Sequence, residues 1–354
     1  MTPYGATART YVDWELREWP NLYRNELESC VRLPFQGENY VLPEAVLLDN
    51  ATGGYNASQI RVDFSATPFH LSEVVHLLTC ENARNLRRDL ERRGPYHNGR
   101  TLRLMDFVPL GRGQFSLRLQ PLNYDDYLAT NLVVDASLRE GDSLRDMLLR
   151  REGHKLEILN ESPLGNMLGI DVILFTSDGR LILQQRSKSV AIRPCELSTS
   201  FSGAASPEDL CGAQTLVDLK VTREAWEEIA IEADEIEKES LKLVGIGREL
   251  ARGGQPGLFF CGKVRLTEKE VRKRSTVSRD RWEFDKLIFY DFGADSLAPI
   301  RDDDGRRRFL EDVDKFISRH GNRASIPLLV ALAFWIGLRC VRKVTPAVSD
   351  HGRN

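Results

Sequence analysis

Apolar and polar positions are patterned most regularly in the second half of the chain. Residues 169–175 (GIDVILF) and 180–186 (RLILQQR) are two runs of strand length separated by Thr176-Ser177-Asp178-Gly179. An Asp-Gly turn between such runs predicts a β-hairpin. Residues 241–249 and 257–266 predict two more strands around the turn Arg252-Gly253-Gly254-Gln255-Pro256, and residues 282–292 a further one. Thr267-Glu268-Lys269-Glu270 has the form of a capping box, so a short helix is expected to start there. Residues 311–318 and 324–341 predict closing helices. Within the latter, IPLLVALAFWIG (326–337) is shorter than the roughly 20 residues a bilayer span needs and is bounded by charge, which predicts a buried core helix.

The first half is less regular. Residues 45–48 predict a short strand, and the alternating residues 60–64 a half-buried one. A helix is expected from Ser72 as N-cap to the stop at Gly94-Pro95. On it His76, between Val75 and Leu77, reads as a core histidine. Residues 102–108 and 115–119 predict a strand pair around Gly111-Arg112-Gly113, residues 143–151 a short amphipathic helix, and residues 153–163 a connection into a second domain.

Composition narrows the class. Of 354 residues, 42% are hydrophobic and 29% charged, as in an ordinary globular protein, and the length suits two domains. A formal net charge of -3 gives no general attraction to nucleic acid or anionic membrane. Cys30, Cys80, Cys195, Cys211, Cys261 and Cys340 are scattered without a Cys-x-x-Cys pair, which predicts neither a zinc site nor a disulfide framework and fits a reducing cytoplasm. Residues 1–17 carry charge and lack the apolar core of a signal peptide. Residues 345–354 read as a disordered tail.

Candidate chemistry sits in residues 203–231. Read as a helix, Glu224, Glu227 and Glu228 fall at i, i+3 and i+4 and share one face, with Ala225, Trp226 and Ile229 on the others. Like charges at that spacing repel by a few tenths of a kcal/mol per pair unless a cation lies between them. A hard divalent ion suits carboxylate oxygens and also accepts phosphate oxygens. Alone, the three glutamates fit a solvated acidic face better than a metal site.

The string Arg223-Glu224-Ala225-Trp226-Glu227-Glu228-Ile229-Ala230-Ile231 resembles the second half of the Nudix box, Gly-x5-Glu-x7-Arg-Glu-U-x-Glu-Glu-x-Gly-U with U apolar. The preceding hairpin, ending in Leu183-Gln184-Gln185-Arg186, is similar to the one that leads into the box in Nudix hydrolases. Three positions depart. At strict spacing the leading glycine falls on Asp209 and the first glutamate on Thr215, and the closing glycine is Ala230. With Gly203 as leading glycine the loop carries six extra residues, and Glu208 or Asp209 could replace the missing acid.

The resemblance implies an α/β fold: a C-terminal Nudix α/β/α sandwich with a mixed sheet over residues 161–344, preceded by a smaller α+β domain over 1–160. It implies Glu224, Glu227 and Glu228 as ligands of magnesium or manganese, Glu224 and Arg223 as catalytic or positioning residues, and Gly203 and Arg186 as substrate-binding residues. The expected activity is metal-dependent hydrolysis of the diphosphate linkage in a nucleoside diphosphate joined to another moiety. A nucleotide-binding sensor on the same fold is the alternative, and an isoprenoid diphosphate isomerase using Cys195 or Cys261 a third. The expected partner is a small-molecule diphosphate, with no nucleic acid or membrane, in a possible homodimer.

Overall fold

The computed structural model describes residues 19–49, 53–93, 96, 98–138, 141–190, 193–210, 216–293 and 296–340. Its first elements are strands β1 (Cys30–Phe35), β2 (Glu38–Asp49) and β3 (Ile60–Phe64), helix α1 (Glu73–Arg93), strands β4 (Arg100–Gly111) and β5 (Gln114–Asn123), and helices α2 (Tyr124–Leu128) and α3 (Leu144–Glu152). There follow β6 (Gly169–Phe175), β7 (Arg180–Arg186), β8 (Leu197–Ser198), β9 (Phe201–Ala204), helix α4 (Leu216–Ile229), β10 (Lys242–Glu249), β11 (Gln255–Lys263), α5 (Glu268–Arg274), β12 (Phe284–Asp291), α6 (Asp303–His320) and α7 (Ile326–Arg339).

Nine strands form one mixed sheet in the order β1-β2-β10-β11-β6-β7-β12, with β9 beside β6 and β8 beside β7. The β11–β6 pairing is parallel and the others antiparallel. Side chains alternate across a strand, so its two faces feed separate cores. Ile170, Val172 and Leu174 pack with Val217, Val221, Ala225 and Ile229 of α4. Phe175, Leu183 and Phe259 pack on the other face against Phe316 of α6 and Trp335 of α7. Helices therefore cover both faces, as expected for an α/β fold. Helix α7 is almost wholly buried and is capped by Ser325, whose Oγ accepts from Leu328 N. No helix among the described residues is long and apolar enough to cross a membrane.

The hairpin β6–β7 forms where the Asp-Gly turn predicts it, with Gly179 at φ 82°. The capping boxes at Ser143 and Thr267 open α3 and α5. His76 is exposed on α1, contrary to expectation. It is Val75, one residue earlier, that turns to the core. The tail 345–354 lies outside the described residues.

The boundary expected at residue 160 does not divide the sheet. Strand β2 pairs with β10 from Gly245↔Asp49 to Glu249↔Glu44, so residues 30–49 extend the sheet that the second half builds. The reason is edge protection: the inner strand β10 would otherwise present unpaired N–H and C=O groups on that side. The small sheet β3-β5-β4 also shares a core with α4 through Leu102, Leu104, Phe115 and Leu119. Its β4 is bonded to the second half by Leu102 N to Ala205 O at 2.8 Å and Leu168 N to Leu102 O at 2.8 Å.

Candidate functional site

Helix α4 stops at Ile229, and Ala230 takes the left-handed conformation at φ 54°. Its N–H donates to Trp226 O at 3.0 Å. That is the conformation a glycine would supply freely at a helix C-terminus, and for an L-residue it costs about 1–2 kcal/mol. The helix thus ends in a left-handed residue although that residue is alanine.

The three glutamates share the face predicted for them and are engaged differently. Glu224 pairs with Lys220, one turn earlier, and lies 3.6 Å from Arg223 Nη2. Glu227 pairs with Arg279 at 2.5 Å and lies 3.9 Å from Arg223 Nε. Glu228 is buried and accepts hydrogen bonds from Gln184 Nε2 at 2.8 Å and from Ser202 N at 3.2 Å. Burial pushes its carboxyl well above the usual carboxylate range, and the charges of Glu283 and Glu224 push the same way. Arg223 reaches past the glutamates to Asp209, 2.8 Å from its Nη1. Of the two acids considered as replacements in the box, Glu208 is thus exposed and Asp209 serves to hold Arg223. Thr215 lies outside the described residues.

Gly203, on β9, faces this helix at close range. A Cβ there would lie 2.5 Å from Glu224 Oε2 and 2.8 Å from Lys220 Nζ, so a side chain at this position would displace the Glu224–Lys220 pair. Arg186 ends β7, where its charge opposes the rise in the pKa of Glu228 and Glu283.

These elements border a cleft of about 420 Å³. Arg186, Gly203, Glu224 and Glu227 line it; Glu228 and Arg223 do not, the first being buried under Gln184 and Ser202 and the second turned to Asp209. Two residues that the sequence reading passed over also line it, Asp280 and Glu283. They precede β12 in a loop tied to the box helix by Asp280 N donating to Glu227 O at 2.8 Å. Burial pushes the Glu283 carboxyl up to about 7, with Arg186 opposing and Asp280 and Glu224 adding to the rise. Arg279, just before Asp280 in the chain, neutralises Glu227.

A hard divalent cation takes carboxylate oxygens, and this part of the cleft carries them already paired with protein cations. Glu224 and Glu227 offer oxygens at its wall, Glu228 lies behind them, and Lys220 and Arg279 stand where counter-charge is needed. Among the described residues no three acidic, histidine or cysteine side chains already converge on one point. Metal binding would therefore require Glu224 and Glu227 to turn from their protein cations.

The far end of the cleft is lined by Glu44, Asp171, Arg193, Glu249, Arg252 and Gln255. None of these was singled out from sequence, because each is a polar residue in or beside a strand with no motif around it.

No family model matches the sequence, and no curated protein matches it. Among solved structures, the crystal structure of DR0079 from Deinococcus radiodurans is similar at 15% identity, covering 44% of this chain and 82% of that one, with a TM-score of 0.27. A likeness of that degree carries no argument about either chain.

Proposed function

We propose that the cleft binds a nucleoside diphosphate joined to a second moiety and hydrolyses its diphosphate linkage, as the Nudix resemblance implies. The observation that carries this is convergence. Arg186 from the hairpin, Gly203 from β9 and, of the box glutamates, Glu224 and Glu227, read separately along the chain, border one cleft. Bound magnesium or manganese, held by Glu224, Glu227 and Glu228, would neutralise the diphosphate and lower the pKa of the attacking water. Arg186 supplies a guanidinium to the phosphate oxygens, whose geometry it matches. Gly203 admits the Glu224–Lys220 pair against β9 at the cleft wall. Glu283, in the cleft wall with Glu224 and Glu227, is the carboxylate we assign to take the proton of the attacking water. Asp209 keeps Arg223 across the glutamates as a positioning residue.

The second reading, a nucleotide-binding sensor, has one observation in its favour. Lys220 and Arg279 already neutralise Glu224 and Glu227, so the fold needs no metal to relieve their repulsion. The isomerase reading has none. Neither Cys195 nor Cys261 lines the cleft, and burial pushes the Cys261 thiol up to about 12. All five described cysteines are free, in keeping with a reducing compartment.

The deciding experiment is product release from nucleoside triphosphates, nucleotide-sugars, dinucleoside polyphosphates and ADP-ribose with magnesium or manganese, comparing wild type with Glu227→Gln. Turnover that falls roughly 100-fold or more in the variant supports hydrolysis, because a metal ligand supplies several kcal/mol of transition-state stabilisation. Nucleotide binding without turnover in the wild type would shift the assignment to the sensor.

A further inference from the structure

Past the box, the cleft runs into a wall of charge that diphosphate hydrolysis does not use. Glu44 on β2 and Glu249 on β10 stand directly opposite one another in the strand pair, at 1% and 6% exposure. Like charges so placed destabilise a sheet. Asp171 on β6 borders the same space. Glu249 is answered by Arg193 and, at 3.7 Å, by Arg252, and Glu196 lies 3.9 Å from Arg193. Asp171 has a hydrogen bond from Thr199 Oγ1 at 3.4 Å. The Glu44 carboxylate has no hydrogen bond or ion pair among the described residues, although it is buried and lines the cleft.

Four carboxylates, Glu44, Asp171, Glu196 and Glu249, thus lie among the guanidinium groups of Arg193 and Arg252, with Arg186 also acting on Glu196 and Arg248 on Glu44. The sheet is also shaped to seat the unanswered one. A Cβ on Gly247 would lie 2.2 Å from Glu44 Oε1, so glycine at that point of β10 is what admits the carboxylate. Burial, then neighbouring carboxylates, push Glu44 well above its usual range. The buried, unpartnered Glu44 in the cleft wall calls for a ligand that brings positive charge and N–H donors. Among the described residues these carboxylates form no group that could hold one metal ion, whereas an ammonium group needs only a single carboxylate such as Glu44 and brings three N–H donors to it.

We propose that the inner end of the cleft binds a protonated amine on the non-nucleotide moiety of the substrate, with Glu44 and Asp171 as acceptors and Glu249 retained by its arginines. The proposal rests on the hydrolase reading only for where the rest of the ligand lies.

The test is calorimetry on the full chain at neutral pH with two adenosine diphosphate esters, 2-aminoethyl and 2-hydroxyethyl, and with n-butylammonium and 1-butanol. Wild type should bind the aminoethyl ester about tenfold or more tightly than its hydroxyl counterpart, the size of effect expected of a charged hydrogen bond. Glu44→Gln and Asp171→Asn should each abolish most of the preference, and thermal melts establish that both variants fold. Equal affinity for the two esters, or preference for the hydroxyl ester, would overturn the amine site and leave the hydrolase reading standing. Binding of n-butylammonium but not 1-butanol, lost in Glu44→Gln, with neither ester bound, would uphold the amine site and remove the diphosphate reading.

Discussion

The two ends of the cleft are charged alike and built in opposite ways. At the box end, Glu224, Glu227 and Glu228 come from one helix, and their counter-charges, Lys220 and Arg279, lie on that helix and the loop bonded to it. At the inner end, Glu44, Asp171 and Glu249 come from three strands far apart in the chain, and they meet because β2 pairs with β10 and β11 with β6. The local end tolerates departures from its motif, as the left-handed Ala230 shows. The other end depends on strand register, since a slip of one residue would carry Glu44 to the opposite face.

The largest expected effect separates the halves. A chain beginning near residue 160 lacks β1 and β2, which pair along β10, and the small sheet that shares the core of α4. We expect it to show no cooperative thermal transition; a sharp melt would mean that the inner end of the cleft is dispensable to the fold. Next in size is Arg145→Ala. Arg145 bonds Asp135 through Nε at 2.5 Å and Ala251 O through Nη2 at 2.6 Å, joining α3 to the segment after Glu249. Removing one partner of a buried pair costs about 3–5 kcal/mol, to be read in urea denaturation, with inner-end binding suffering more than box-end binding.

A smaller effect depends on pH. Burial raises the Asp171 carboxyl to about 6, with Glu249 adding to the rise and Arg193 and Arg252 opposing it. A raised folded-state pKa contributes stability that is fully present below the unfolded value near 4 and is lost as pH rises through about 6. Asp171→Asn should therefore gain roughly 2–3 kcal/mol on wild type between pH 4 and 7, measured as the difference between urea midpoints at the two pH values. A pH-independent difference would show that Asp171 keeps its charge in the empty cleft. Smallest is Ala230→Gly, which relieves a left-handed alanine and should stabilise by about 1 kcal/mol, a rise in Tm of a few degrees with box-end chemistry unchanged.

Legibility in the sequence followed locality. The hairpin β6–β7, α3, α5 and α7 were readable because a turn, a cap or an uninterrupted apolar run announces each within its own residues. Strand β1 was not, since CVRLPF carries Arg32 and Pro34 and shows no alternation; its place at the sheet edge is what permits the proline. Of β2 only residues 45–48 were readable, because Pro43 and the polar residues 38–40 obscure a strand of 12 residues. Glu283 hid in a segment read simply as a strand, since nothing in its neighbourhood announces a carboxyl held near neutral pH by burial.

By itself the sequence determined the α/β class, the hairpin, the helical box with three glutamates on one face, and the apolar helix that closes the core. Those features depend on spacings of a few residues, which the backbone geometry of a helix or turn converts directly into shared faces. Only the tertiary structure decided that β1 and β2 belong to the large sheet, that Arg223 turns to Asp209, that Glu283 faces the box, and that Glu44, Asp171 and Glu249 gather at the inner end of the cleft. Those depend on which strands pair and in what register, a choice set by burial of the whole core that no short stretch of chain contains.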